Sequence, residues 1–253
     1  MKTIDLNCDM GESFGAYTIG ADEAVMASIS SANVACGFHG GDPVVMRRTV
    51  RLARDHGVAV GAHPGFPDLV GFGRREMRIS PQEVEDLVLY QIGALAAVAK
   101  SEGLRLAHVK PHGALYNMAA QDRPLAQAIA QAVKDFDPRL VLFGLSGSEL
   151  VRAGEQAGLK TASEVFADRT YQPDGSLTPR TQADAMIHDG EASIVQVKRM
   201  IEEGKVKSLG GPDVVVRADT LCIHGDEPNA VDFAKRIRQA LDADGVRVAA
   251  IAI

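Results

Sequence analysis

Short apolar or alternating runs recur along the chain, and each is followed by a stretch with helical spacing. Residues 3–8 alternate polar and apolar side chains and predict a first strand. Residues 32–36 predict a second. Asp42-Pro43 then supplies a cap and a first-turn proline for a helix that Gly57 ends. Residues 58–62 predict a third strand, with a loop rich in glycine and proline over 63–75. Ser80-Pro81-Gln82-Glu83 has the pattern of a capping box, and the helix it opens extends to about residue 102, where Gly103 closes it. Strands follow over 106–110, 140–144, 160–165 and 220–224, with a last one over 246–251. Helical patterns occupy 122–135, a segment ending near Gly158, 191–203 and 229–242.

Strands that alternate with helices imply parallel βαβ units. The leading architecture is an α/β fold, a (β/α) barrel with seven strands, as one domain over residues 1–253. An open doubly wound sheet is the alternative. The segment 167–182 exceeds the usual length of a βα loop, which marks it as functional or mobile.

The 253 residues are 46% hydrophobic and 24% charged, as in an ordinary globular enzyme, and carry a net charge of −6. That balance, without basic clusters, excludes a nucleic-acid partner. No apolar run is long enough to span a membrane. Three scattered cysteines, no C-x-x-C and no signal-peptide pattern predict a reducing, cytoplasmic setting.

The polar residues gather where strands end. Asn7, Asp9 and Glu12 follow the first strand, His39 and Asp42 the second, and His63 and Asp68 the third. Lys110, His112 and Asn117 follow the fourth, Glu164, Asp168 and Arg169 the sixth, and His224 and Asp226 the seventh. In a parallel barrel these ends share one face, where active sites are built. His39, His63, His112 and His224 each end a strand beside glycine or proline. His56 and His188 fall at a helix end and a polar turn, where they face solvent, and His108 alternates inside its strand as a packing residue.

Asp9, His39 and His63 have the donor chemistry of a mononuclear divalent-metal site that activates water. The same groups could carry out acid–base work without a metal. Lys110 could hold a carboxylate or an oxyanion, and Arg169 could clamp a carboxylate or pair with Asp168 at the rim. The phosphate-binding motifs of ATP and dinucleotide enzymes are absent, and so are a G-x-S-x-G elbow and an H-E-x-x-H zinc motif.

Six blocks carry a family resemblance. They are residues 5–12 (Asp-Leu-Asn-Cys-Asp-Met-Gly-Glu), 33–42 (Asn-Val-Ala-Cys-Gly-Phe-His-Gly-Gly-Asp), 61–68 (Gly-Ala-His-Pro-Gly-Phe-Pro-Asp), 109–117 (Val-Lys-Pro-His-Gly-Ala-Leu-Tyr-Asn), 164–171 (Glu-Val-Phe-Ala-Asp-Arg-Thr-Tyr) and 222–226 (Cys-Ile-His-Gly-Asp). Together they resemble the LamB/YcsF family, which includes the A component of the bacterial ATP-dependent 5-oxoprolinase. The resemblance covers essentially the whole chain. It implies a seven-stranded barrel akin to polysaccharide deacetylases and hydrolysis of 5-oxo-L-proline to L-glutamate. It also implies coupling to ATP through a complex with partner subunits B and C.

On this basis Asp9, His39, Lys110 and His112 are the expected catalytic residues. Asn7, Glu12, His63, Asn117, Glu164, Arg169, His224 and Asp226 are the expected substrate-contacting residues. Asp9, His39 and His63 are the expected ligands of any divalent metal. Two other classes remain open, a metal-dependent deacetylase acting alone and a barrel that only binds or delivers the lactam.

Overall fold

Asp5, Asn7 and Asp9 alternate with Ile4, Leu6, Cys8 and Met10 along the first strand, and this period of two decides what each face becomes. The apolar set is buried against the surrounding helices. The polar set points the other way, into hydrogen bonds with neighbouring strands. A computed structural model, which describes residues 2–223 and 230–252, shows how the chain closes around that polar line.

The elements run β1 (Thr3–Met10), α1 (Asp22–Met26), β2 (Ser31–Ala35), α2 (Pro43–His56), β3 (Ala59–His63), α3 (Pro81–Ser101), β4 (His108–Val109), α4 (Gly113–Gln121) and α5 (Arg123–Phe136). Then come β5 (Val141–Leu145), α6 (Glu149–Ala157), β6 (Lys160–Phe166), α7 (Gly190–Glu202), β7 (Lys205–Lys207), β8 (Asp213–Val215), β9 (Thr220–Ile223), α8 (Ala230–Ala243) and β10 (Arg247–Val248). Strands β1 to β6 pair in sequence order, and β9 joins β6. Strand β9 also pairs in parallel with β1, Asp5 opposite Thr220 and Asn7 opposite Cys222. Seven parallel strands therefore close into a barrel, which removes the open doubly wound sheet. Strand β10 lies outside the closure, beside the start of β1. The C-terminal segment continues from it, with Ala249 N–H bonded to the carbonyl of Ile4.

The helix starts follow their sequence signals. Asp42 accepts hydrogen bonds from the N–H groups of Val44 and Val45, and Ser80 and Glu83 form a reciprocal capping box. Gly57 ends α2 in the left-handed conformation, with φ 67°.

Several elements depart from the pattern reading, among them the short α1, for which no helix was expected. Strand β4 is reduced to two residues, although Ala107 and Lys110 still donate to β3 carbonyls on either side. Helix α4 was not signalled, because it begins on Gly113 and has no side-chain cap. The small β7–β8 hairpin was also missed, since its strands are only three residues long. The last strand is likewise shorter than its apolar run, at Arg247–Val248. No described helix is long and apolar enough to cross a membrane.

Candidate functional site

The inward residues of β1 anchor a continuous polar network through the barrel. Asp5 at its base accepts from the hydroxyls of Ser30, Ser31 and Thr220 at 2.6 to 2.7 Å. Asn7 donates to Thr220 at 2.7 Å and to Glu164 at 2.9 Å, while its carbonyl oxygen accepts from Asn33 and Lys110. The side-chain amide of Asn33 also donates to Asp9 Oδ1 at 2.8 Å. Both of its N–H groups are thus used, so its oxygen must accept from His108 Nε2 at 2.6 Å, which fixes that nitrogen as protonated. His108 stacks on Phe143, 4.3 Å between centroids, and fills the space that the missing side chain of Gly61 leaves. Burial pushes its pKa down to about 3.

Lys110 sits at the top of this network and is buried at 3% exposure. Its ammonium lies 2.9 Å from Asp9, 3.0 Å from Glu164, 3.1 Å from Cys222 Sγ and 3.2 Å from Asn7. Burial works against the charge, yet the neighbouring carboxylates of Asp9 and Glu164 hold its pKa well above the usual lysine range. Glu164 is itself fully buried and also accepts from Tyr116 at 2.7 Å. An ion pair this deep persists only because nearly every lone pair and proton finds a partner.

A second cluster adjoins the first. His63 bridges the two, with Nδ1 bonded to the carbonyl of Lys110 at 2.7 Å and Nε2 3.3 Å from Asp9 Oδ2. His39 and His112 stack nearly parallel, 3.7 Å between ring centroids. Their Nε2 atoms face one oxygen of Glu12, at 3.3 and 3.6 Å. Burial first, then the neighbouring histidines, pushes both imidazoles well below their usual pKa, so both are neutral at pH 7. Four side chains, Glu12, His39, His63 and His112, bring ligand atoms within 4.8 Å of one another, a donor set compatible with a divalent metal. This set differs from the expected Asp9, His39 and His63. Two of those histidines are in it, but Glu12 takes the place of Asp9, whose carboxylate is engaged by Lys110 and Asn33.

Both clusters open on a cleft of about 1270 Å³ at the C-terminal ends of the strands. Of the sequence candidates, Asp9, Glu12, His63, Lys110 and His112 form its inner wall, and Asn117 and Arg169 lie further out. Asn7, His39 and Glu164 are wholly buried and lie behind that wall. Arg169 is no free clamp. Its guanidinium donates to the carbonyls of Ala185 and Thr178 and so ties down the segment after β6. Burial, reinforced by Arg180, lowers its pKa to about 10. His224 and Asp226 lie outside the described residues. His56 and His188 are exposed, as their positions suggested.

Asp5, Ser31, Asn33 and Thr220 are network members that the strand-end pattern passed over, whereas Tyr116 stands beside Asn117 in it. Ser31 and Asn33 alternate with Ala32 and Val34, and that period of two was the available signal.

Comparison with known proteins agrees with the barrel fold. A protein of Bacillus licheniformis, named as the A subunit of 5-oxoprolinase, is 63% identical over 250 residues, spanning 99% of both chains. The Bacillus subtilis protein of the same name is 62% identical over 251 residues, 99% of this chain and 98% of that one. The crystal structure of a lactam utilization protein from Thermus thermophilus superposes with a TM-score of 0.93 at 55% identity, covering 99% of this chain and 100% of that one. A peptidoglycan deacetylase from Bacillus subtilis shares the barrel alone, with a TM-score of 0.50 and 15% identity over 98% of this chain and 87% of that one. The LamB/YcsF family model matches residues 4–253, and the chain belongs to that family.

Proposed function

We propose that this chain opens the ring of 5-oxo-L-proline to give L-glutamate, as the A component of a complex whose B and C subunits activate the lactam with ATP. The names of the full-length relatives support the substrate and the role within a complex. The observation that carries the chemistry is the Asp9–Lys110 pair on the cleft wall. A lactam is a resonance-stabilised amide and a poor electrophile. Phosphorylation of its oxygen removes that stabilisation and makes attack by water feasible. The sequence contains no phosphate-binding loop, which leaves the ATP step to the partners.

Asp9 is the carboxylate that reaches the cleft while held on its inner side by Lys110 and Asn33. It orients the attacking water, accepts its proton and returns a proton to the departing ring nitrogen; the acyl phosphate this leaves is hydrolysed by a second water to glutamate and inorganic phosphate. Lys110 has its three N–H donors committed to Asp9, Glu164 and either Asn7 or Cys222. Its part is to fix Asp9 and offset the charge that builds as water is deprotonated. His112 and Glu12 face the same space, where they accompany the reacting carbonyl. Arg74, Arg169 and Arg180 line the outer cleft and supply positive potential for the substrate carboxylate. Buried, unpaired Cys8, Cys36 and Cys222 suit a reducing cytoplasm, and the family match over 4–253 supports a single domain.

Glutamate release from 5-oxoproline, with and without ATP and the partner subunits, tests this reading. Activity requires all three subunits and ATP. Asp9→Asn lowers the turnover of the reconstituted complex by about 10² to 10⁴ without changing the circular dichroism spectrum. Full turnover by a folded Asp9→Asn protein refutes the role of Asp9. The Glu12 and histidine cluster favours a second reading, a metal-dependent deacetylase acting alone. It gains if the isolated chain releases acetate from an N-acetylated substrate without ATP.

A further inference from the structure

The ring-opening chemistry gives no role to His39 or His63 and does not explain why they converge with Glu12 and His112 in one buried group. Glu12, His39, His63 and His112 are exposed by 6, 0, 1 and 4%. They come from the ends of different strands and from the start of α4, so the fold itself assembles them. Each histidine is oriented from outside the cluster. His63 donates from Nδ1 to the Lys110 carbonyl at 2.7 Å, which turns Nε2 inward. A Cβ at position 65 would lie 2.6 Å from His39 Nδ1, and one at position 73 would lie 2.8 Å from His112 Nδ1. Only glycine lets these two rings seat so closely, and their backs are wedged against backbone while Nε2 faces Glu12. Among the described residues, no hydrogen-bond partner exists for the inward-facing Nε2 of His39 or of His63. Buried polar atoms are almost always paired, so this concentration of exceptions in one spot points to an absent partner.

We propose that Glu12, His39, His63 and His112 form a binding site for one divalent ion of the late first transition series, zinc being the representative, with Asp9 outside the donor set. Three imidazoles and one carboxylate suit such an ion, whereas magnesium and calcium take oxygen ligands. Asp9 is excluded by its engagement with Lys110 and Asn33. Its outer oxygen, 3.3 Å from His63 Nε2, leaves it adjacent to the ion rather than bound to it. The proposal stands apart from the identity of the substrate, because its test reads metal and not turnover.

The full chain is stripped with a chelator and titrated calorimetrically with zinc, cobalt and magnesium chloride. Metal retained after dialysis is measured by mass spectrometry. One zinc or one cobalt per chain is expected, with a Kd below about 1 μM, and no competition from equimolar magnesium. Bound cobalt is expected to give a visible d–d band stronger than that of the aqua ion and shifted to the red, which reports a low-coordinate protein site in the wild-type chain without any variant. His39→Ala and Glu12→Gln each weaken zinc binding by at least about 100-fold. Asp9→Asn and His56→Ala leave it within about threefold of the wild type. Absence of stoichiometric zinc and cobalt from the wild-type chain overturns the proposal. So does undiminished binding by His39→Ala, or loss of binding in Asp9→Asn. If His39→Ala fails to fold, the wild-type cobalt spectrum and the Asp9→Asn titration decide.

Discussion

Lys110 is the residue on which both clusters depend, since its side chain holds Asp9 and Glu164 and its carbonyl orients His63. Replacing it by methionine keeps the length and removes the charge, which strands two carboxylates against each other in a buried space. Lys110→Met is expected to lose about 3 to 5 kcal/mol of stability, measured by urea unfolding at pH 7. His108 gives a pH signature. Its folded pKa of about 3 lies below the ordinary 6.5, so the folded state binds fewer protons than the unfolded chain. The stability it contributes is complete above pH 6.5 and is lost as the pH falls from there toward 3. One such group gives a slope of about 1.4 kcal/mol per pH unit. His108→Gln should flatten the urea-midpoint profile between pH 6 and pH 4 by that amount, leaving the slope due to His39 and His112. An unchanged profile would show that His108 is protonated in the folded chain. At this scale the sequence was readable where a polar residue stood next to glycine or proline at a strand end, as at His39, His63 and His112. It was unreadable where the decisive fact was direction. Asp9 and Glu12 are three residues apart with the same chemistry, and only the turn after β1 decides which of them meets His39 and His112.

Among the elements, the segment after β6 is the most exposed to test. It is long, has little regular structure, and is gathered by Arg169 onto the carbonyls of Thr178 and Ala185. An ammonium cannot span that pair of acceptors as a planar guanidinium does. Arg169→Lys is therefore expected to speed amide exchange over residues 170–187 at least tenfold, an opening cost of about 1.4 kcal/mol, while the melting temperature shifts little. Exchange that stays at the wild-type rate would mean the segment is held by other contacts. The helices with caps, α2, α3 and α5, were readable almost to the residue, because Asp42, Ser80 and Asp122 each bond an N–H of the first turn. Helix α4 was not, because Gly113 at its start has φ 55° and reads as a loop. The strands were readable as apolar runs, but their ends depend on what the neighbouring strand offers, which no run of one strand reveals.

At the scale of the whole molecule, the barrel has apolar packing outside its wall and directional bonds within it. Asp5, Asn7 and Asp9 of β1 reach β2, β4, β6 and β9 through Ser31, Asn33, Lys110, Glu164 and Thr220. A barrel held by oily contacts alone tolerates a strand sliding along its neighbour, since one aliphatic surface resembles another. Here a slip of two residues in β1, β2, β6 or β9 would orphan several buried donors and acceptors at once, each at a cost of about 1 to 3 kcal/mol. Strand register is therefore written into the interior, and half-closed barrels are poor resting points. The unfolding transition should be cooperative, and the residues that prepare the site for chemistry are also those that tell seven strands where to stop.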